Sequence, residues 1–131
     1  MKIMSCLFRS LSHFIENVNE NELRDIIVDY LQKDPILIGN DTNLKDILKI
    51  QNSTITEYTQ QMRKRHVWGG AIEIRAFCEL FDIKVIVFVI RENRNIEFLP
   101  SSFESKNECE KVKKCVKISW TGAHYEPMNR C

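Results

Sequence analysis

A cysteine near one end of this 131-residue chain is the first side chain whose position suggests chemistry. Apolar residues recur at spacings of three and four from Leu7 to Val18, which predicts a helix. Cys6 then lies at its first turn, where unpaired backbone amides and the helix dipole favour a negatively charged group such as a thiolate. A thiolate is the form in which cysteine acts as a nucleophile. The simpler interpretation is a small buried residue at a helix start, and only a partner histidine would favour chemistry.

Three histidines could serve as a base for Cys6. His13 lies two turns further along the same predicted helix, about 10 Å away by helical rise, and is out of reach. His66 ends a basic run, Arg63–Arg65, which is typical of a solvated helix end. His124 follows a glycine turn at the head of a predicted terminal strand. From that position a side chain can project into a cleft.

A carboxylate lies on the same predicted strand face as His124. Side chains at i and i+2 of a strand point the same way, so Glu126 shares its face. Its carboxylate could accept the second imidazole N–H and fix the tautomer, which is the orienting role in a nucleophile–base–acid triad. The alternative is a half-buried strand histidine beside an exposed acid.

The elements that must position these groups are predominantly helical in the first half of the chain. The second predicted helix begins near Asn21 and ends at Asp34-Pro35, because the residue before proline is pushed out of helical geometry. Its apolar stripe consists of Leu23, Ile26, Ile27, Tyr30 and Leu31. A loop is predicted at 36–43, and further helices at 44–50, from Ile55 toward Arg65, and at 71–81. Two glycines precede the helix at 71–81, which suggests close backbone approach at its start. Apolar residues cover most faces of this helix, which predicts that it is central and buried.

The second half of the chain carries the strand signals. Residues 83–90 are rich in β-branched side chains and apolar on both faces, and 96–99 pair back as a hairpin strand after a polar turn. A charged loop, 100–114, is long enough to be functional. Residues 116–120 alternate as a strand, a turn covers 121–123, and a last strand opens at 124–127. Helices followed by strands predict an α+β fold.

Composition limits the remaining options. The length suits a single domain over residues 1–131, and 44% hydrophobic with 28% charged residues is typical of a globular protein. A net charge of +1 argues against nucleic acid or an anionic membrane as partner. The basic run at 63–65 and the lysines at 111, 113 and 114 are the only features that favour nucleic-acid binding, and a charge run of this kind is typical of a solvated surface. Five cysteines without Cys-x-x-Cys spacing favour neither a disulfide framework nor a metal site. Arg9 interrupts the N-terminal apolar run, so we expect no secretory signal and an intracellular, cytoplasmic location.

Four sequence blocks resemble the ovarian-tumour (OTU) family of cysteine proteases. They are Cys6–Ser10, Trp68–Gly70 leading into Glu73–Ala76, Ile83–Phe88 and His124–Tyr125, and they follow the family's order and approximate spacing over nearly the whole chain. The resemblance implies a papain-like fold in which a helical first half packs on a small, mostly antiparallel sheet from the second half. It also implies a deubiquitinase that hydrolyses isopeptide bonds at the C-terminus of ubiquitin or a ubiquitin-like modifier. No metal and no organic cofactor is implied.

The site residues follow from the same resemblance. Cys6 matches the nucleophile of the family's Asp-Gly-x-Cys-Leu-Phe-Arg block, and His124 matches the general base. Glu126 stands where the family usually has Asn or Asp, and it is one methylene longer than Asp. Wall positions of a narrow substrate channel are assigned to Trp68, Gly69 and Tyr125. We expect a monomer whose partner is ubiquitin or a related modifier, with no nucleic acid and no membrane.

The segment before Cys6 departs from the family pattern. Ile3 and Met4 replace the family's aspartate and glycine, and methionine resists the positive φ that glycine permits. The backbone N–H groups of Met4, Ser5 and Cys6 are the predicted oxyanion hole, because amides do not depend on side-chain identity. The alternative function is therefore a catalytically weak or inactive OTU-like module that binds ubiquitin without cutting it.

Overall fold

A computed structural model describes residues 6–38, 42–100 and 114–130 of the chain. Within these ranges the helices are α1 (Cys6–Ser12), α2 (Glu20–Leu31), α3 (Leu44–Ile50), α4 (Ile55–Met62) and α5 (Ala71–Phe81). The strands are β1 (Ile36–Ile38), β2 (Thr42–Asn43), β3 (Lys84–Val89), β4 (Arg94–Phe98), β5 (Cys115–Trp120) and β6 (Tyr125–Arg130). The expectation of a single domain over residues 1–131 stays a prediction.

The main sheet has the strand order β4-β3-β5-β6. β3 pairs with β4 and β5 with β6 in antiparallel hairpins, while the central pair, β3 with β5, is parallel. The predicted α+β fold with a mostly antiparallel sheet is confirmed. The parallel central pair sets the two hairpins side by side, and the second hairpin carries His124 at its turn.

The core lies between α5 and one face of the sheet. Ala76 and Phe77 of α5 are completely buried, and so is Val85 on β3. Residues 71–81 are helical as predicted, and the helix ends because Asp82 adopts a left-handed conformation with φ of 56°. β3 is buried on one face and half-buried on the other, although its sequence is apolar on both.

Two local predictions were wrong. The first helix ends at Ser12 instead of Val18, and the chain turns at Asn17, whose φ is 63°. The hydroxyl of Ser12 donates to the Arg9 carbonyl, a local bond of the kind that competes with helix continuation. The predicted loop 36–43 contains a short antiparallel hairpin formed by β1 and β2.

The cysteines that the structure describes have different states. Cys6 and Cys78 are buried free thiols. Cys115, at the start of β5, is disulfide-bonded, which the cysteine spacing did not predict. Among the described residues, no helix has the length and apolarity required to cross a membrane.

Cys78 makes stability sensitive to alkaline pH. Burial raises the pKa of its thiol to about 12. The protonated thiol therefore contributes its full stability to the folded protein below the pKa of the unfolded chain, near 9, and this stability is lost as the pH rises toward 12. At pH 10.5 the unfolded thiolate therefore lowers the free energy of unfolding by about 2 kcal/mol. Urea unfolding at pH 8 and pH 10.5 is expected to show a loss that is about 2 kcal/mol larger in the wild type than in Cys78→Ala, in which the buried Tyr58 and Tyr125 still ionise on unfolding. An equal pH dependence in both proteins would contradict it.

Candidate active site

The two ends of the described chain meet where α1 packs on β6. The Cys6 sulfur accepts a hydrogen bond from the backbone N–H of Tyr125, at 3.2 Å. Cys6 is only 7% exposed, and Tyr125 is the residue directly after His124. The thiol therefore lies against the backbone segment that carries His124, although the two residues are at opposite ends of the chain.

The Glu126 carboxylate contacts Nε2 of the His124 ring. Nε2 of His124 lies 3.1 Å from Oε2 of Glu126, and this contact leaves Nδ1 as the ring nitrogen available to another group. The His124 side chain is 32% exposed and that of Glu126 65%. The i, i+2 relation predicted from the strand pattern thus brings the two side chains together, with the carboxylate mostly in solvent, where its attraction is weakened by screening.

A tight turn fixes the backbone of His124. The Thr121 hydroxyl accepts the N–H of His124 at 3.1 Å, and the N–H of Thr121 donates to the His124 carbonyl at 3.0 Å. Between them Gly122 has φ of 104°, a conformation that side chains with a Cβ rarely adopt. A Cβ there would also approach Arg91 Nη1 to 2.8 Å. The backbone conformation is what favours glycine at this position, because the Arg91 guanidinium is the end of a flexible side chain and can move aside.

An apolar cavity of about 440 Å³ opens beside this turn. The three residues predicted as channel walls, Trp68, Gly69 and Tyr125, all line it. The Tyr125 ring stacks on Trp120 with ring centroids 5.9 Å apart. Burial raises the pKa of Tyr125 to about 12, and negative charge on Cys6 and Glu73 adds to the shift. The remaining lining comes from α5 and the residue before it, from the sheet and from the turn: Gly70, Ala71, Ile74, Val87, Ile96, Phe98, Trp120 and Gly122.

His124 lines a second groove, of about 360 Å³, which shares Tyr125 with the apolar cavity. His13 lines this groove together with His124 and Glu126. The His13 ring packs edge-on against Phe14, with centroids 4.9 Å apart. His66 is exposed and lies beyond the end of α4.

Gly69 allows the segment before α5 to lie against α1. A Cβ on Gly69 would come within 2.8 Å of Leu7 Cδ2 and 3.0 Å of Phe8 Cε2. Leu7 is 2% exposed and Phe8 is completely buried, so neither can move aside without disturbing the core. The close approach that the glycine pair suggested is found at Gly69, while a Cβ on Gly70 would meet no described atom within 4 Å.

Alanine at these two glycines is therefore expected to have unequal effects. Gly69→Ala overpacks the contact with α1, which we expect to cost about 1–3 kcal/mol of unfolding free energy and to change the reactivity of the Cys6 thiol by shifting it. Gly70→Ala is the matched control and should be close to neutral in both respects. Urea unfolding and the rate of Cys6 alkylation by iodoacetamide measure the two effects. Equal behaviour of the variants would contradict the role of the contact.

A buried arginine on α2 was not predicted from the sequence. Arg24 is completely buried; its guanidinium lies 4.3 Å from the centroid of the Phe8 ring and donates to the carbonyls of Met62 and Arg65. Burial lowers the pKa of Arg24, and the Arg65 charge acts in the same direction, whereas negative charge on Glu73 opposes both.

The buried face of α2 is rotated from the predicted one, because Arg24 and Val28 are buried while Ile26 is 37% exposed.

Glu73, on α5, is a second buried charged residue that was not predicted. It is 1% exposed; Oε1 accepts the N–H of Gly70 at 2.7 Å and Oε2 accepts a short hydrogen bond from the Tyr58 hydroxyl. Burial raises the pKa of Glu73, and the two hydrogen bonds and the Arg24 charge oppose this shift. Burial and the Glu73 charge raise the pKa of Tyr58. The spacing Gly70-x-x-Glu73, in which an acid reaches back to the residue before a helix, was the available signal.

The predicted oxyanion hole is only partly within the described residues. Met4 and Ser5 lie outside them, and Cys6 is the first described residue. The catalytic roles of Cys6, His124 and Glu126, and the channel role of the three wall residues, stay predictions. Among the described side chains, no group of three or more His, Cys, Asp or Glu is arranged to hold a metal ion.

A buried thiol against the backbone next to a histidine–carboxylate pair, with an apolar cleft lined by the same Tyr125, is typical of a cysteine protease. The family profile described as "OTU-like cysteine protease" matches residues 5–128. The chain therefore belongs to the OTU-like cysteine proteases, as the sequence blocks indicated.

Several relatives are similar over most of this chain. The "Ubiquitin thioesterase OTU1" of Mus musculus is 27% identical and that of Homo sapiens 26%, each over 96% of this chain. The aligned region is 34% of the mouse protein and 33% of the human one. The chain thus spans about a third of the length of these relatives.

Solved structures agree on the fold. An OTU deubiquitinase from Wolbachia pipientis wMel superposes with a TM-score of 0.72 at 21% identity, covering 98% of this chain and 85% of that one. An OTU domain in complex with ubiquitin gives 0.71 at 22% identity, covering 97% and 64%. The Hazara virus OTU bound to ubiquitin gives 0.63 at 17% identity, covering 100% and 78%. These similarities establish the OTU fold.

Proposed function

We propose that this chain is a cysteine-dependent deubiquitinase that hydrolyses isopeptide bonds at the C-terminus of ubiquitin or a ubiquitin-like modifier. The observation that carries the proposal is the hydrogen bond from the Tyr125 amide to the Cys6 sulfur, which brings the thiol next to His124. Relatives named ubiquitin thioesterases and similar OTU domains solved with ubiquitin support the choice of substrate.

The first half of the proposed reaction forms a thioester. His124, with its Nε2 toward Glu126, takes the Cys6 proton at Nδ1, and the thiolate attacks the carbonyl carbon of the terminal glycine of ubiquitin. Electrons move onto the carbonyl oxygen, where the amides of Met4, Ser5 and Cys6 would stabilise the negative charge. His124 then donates the proton to the departing lysine amine, and the C–N bond breaks.

The second half releases ubiquitin. With the amine gone, His124 is neutral again and takes a proton from water, which attacks the thioester carbonyl. The C–S bond breaks, the Cys6 thiolate is regenerated, and ubiquitin leaves as a carboxylate. Glu126 stabilises the imidazolium of His124 each time the ring is charged, and its exposure predicts a modest contribution.

The apolar cavity suits the substrate because the ubiquitin tail ends in two glycines. Trp68 and Tyr125 supply broad aromatic walls, while Gly69 contributes backbone to the lining. A channel that is too narrow for other residues would select a glycine-glycine end before any chemistry occurs. The identity of the modifier, the monomeric state and the cytoplasmic location stay predictions.

An electrophilic ubiquitin probe tests the proposal against the alternative of a binding module. Ubiquitin carrying a C-terminal propargylamide becomes covalently attached to an active cysteine, and parallel reactions with probes of other modifiers report modifier preference. We expect covalent labelling of the wild type at Cys6. Binding of ubiquitin without labelling would favour the weak or inactive module suggested by Ile3 and Met4. A protein that does not bind ubiquitin and is not labelled would contradict both the enzyme and the binding module.

A further inference from the structure

Glu73 does not reach the cavity or the Cys6 sulfur through any described hydrogen bond, yet it is among the most deeply buried charged groups of the structure, at 1% exposure. Burying a carboxylate is costly unless it is paired and hydrogen-bonded. Its two oxygens are used by different segments, Oε1 by the N–H of Gly70 and Oε2 by the Tyr58 hydroxyl on α4. A group held in this way fixes the relative position of the segments that it joins.

The segment held by Glu73 is the one that contacts α1. Gly70 directly follows Gly69, whose Cα lies against Leu7 and Phe8 so closely that a Cβ would not fit. The guanidinium of Arg24 lies on the Phe8 ring. From Glu73 a continuous set of contacts therefore leads through Gly70 and Gly69 to the helix that begins with Cys6.

We propose that Glu73 is a positioning residue for the nucleophile: by accepting the Gly70 N–H, it keeps Gly69 seated on Leu7 and Phe8 and so holds Cys6 in register with His124. This rests on the proposed function only in that Cys6 is taken as the nucleophile. The Arg24 charge favours the ionised carboxylate, while the Glu73 oxygen that accepts the Gly70 N–H carries the positioning effect.

Two substitutions separate the acceptor from the charge. Glu73→Gln keeps an oxygen that can accept the Gly70 N–H but removes the charge that balances Arg24, so it should lower the melting temperature. Glu73→Leu has similar bulk and lacks both. Leu48→Ala is the matched control, because Leu48 is completely buried on α3 and lines neither cavity beside His124; it should destabilise through a cavity alone.

All variants are compared at a temperature at which circular dichroism shows them folded. We measure kcat and KM on a ubiquitin C-terminal fluorogenic amide, and the rate of Cys6 alkylation by iodoacetamide, located by mass spectrometry. Glu73→Leu is expected to lower kcat and the alkylation rate at least tenfold. Glu73→Gln should stay within threefold of the wild type in both, despite its lower melting temperature, and Leu48→Ala should leave both unchanged.

Three results would overturn the proposal: a folded Glu73→Leu with wild-type kcat and alkylation rate, a Glu73→Gln as slow as Glu73→Leu, or a Leu48→Ala as slow as either. If Glu73→Leu does not fold, Tyr58→Phe takes its place, because it lets the carboxylate turn away from Gly70; at least a threefold loss of kcat is expected, and an unchanged kcat would overturn the idea. A wild type without ubiquitin turnover contradicts the proposed function, whereas the alkylation rates still decide the role of Glu73.

Discussion

Replacing Cys6 by alanine is expected to abolish cleavage of di-ubiquitin and labelling by the ubiquitin propargylamide probe, while the fold persists. Without the sulfur no thioester can form, so the turnover number should fall to the uncatalysed background. The substitution removes one small side chain at the first residue of α1, and the buried neighbours Leu7 and Phe8 remain. Circular dichroism and urea unfolding should therefore resemble those of the wild type.

The second free thiol provides the matched control for this prediction. Cys78 is also buried, lies on α5, and its Sγ lies 3.4 Å from the carbonyl oxygen of Phe98. Cys78→Ala is expected to keep full labelling by the probe at neutral pH. Turnover that persists in Cys6→Ala, or labelling that is lost in Cys78→Ala instead, would remove Cys6 from the mechanism.

Features with a strong local signal were predictable from the sequence. The bounds of α5 follow from apolar residues around the whole helix and from a helix stop at Asp82. The proximity of His124 and Glu126 follows from strand alternation alone, because residues two apart share a face and no tertiary contact has to be known. The approach of Cys6 to the β5–β6 turn is different. Nothing local indicates it, and only the resemblance to a protease family predicted it.

The parts that were missed depend on contacts distant in sequence. On α2, apolar spacing predicted that Ile26 faces the core, whereas Arg24 takes a buried position because the carbonyl of Met62, the ring of Phe8 and the charge of Glu73 satisfy its guanidinium. Hydropathy patterns treat a charged residue as exposed, so they cannot identify a charge that is paired by another helix. The same limitation hid Glu73, whose partners are on α4 and in the segment before α5.

His124→Gln is the second substitution expected to have a large effect. It removes the base that takes the Cys6 proton and the acid that protonates the leaving amine, which predicts a fall in kcat on the order of 10³-fold. KM should change little, since the Trp68 and Tyr125 walls of the cavity remain. The measurement is kcat and KM on a ubiquitin C-terminal fluorogenic amide, together with a folding control by circular dichroism.

Two neighbouring substitutions show whether the effect belongs to the His124 ring. His13→Gln changes the other histidine of the same groove and should leave kcat unchanged, because His13 lies just past the end of α1, about two helical turns from the sulfur. Glu126→Gln should lower kcat by roughly tenfold, less than His124→Gln, because a carboxylate that is 65% exposed is partly replaced by water in stabilising the imidazolium. A His124→Gln protein within tenfold of wild-type kcat would mean that another group takes the proton, and His13 would be identified as that group if its substitution caused the larger loss.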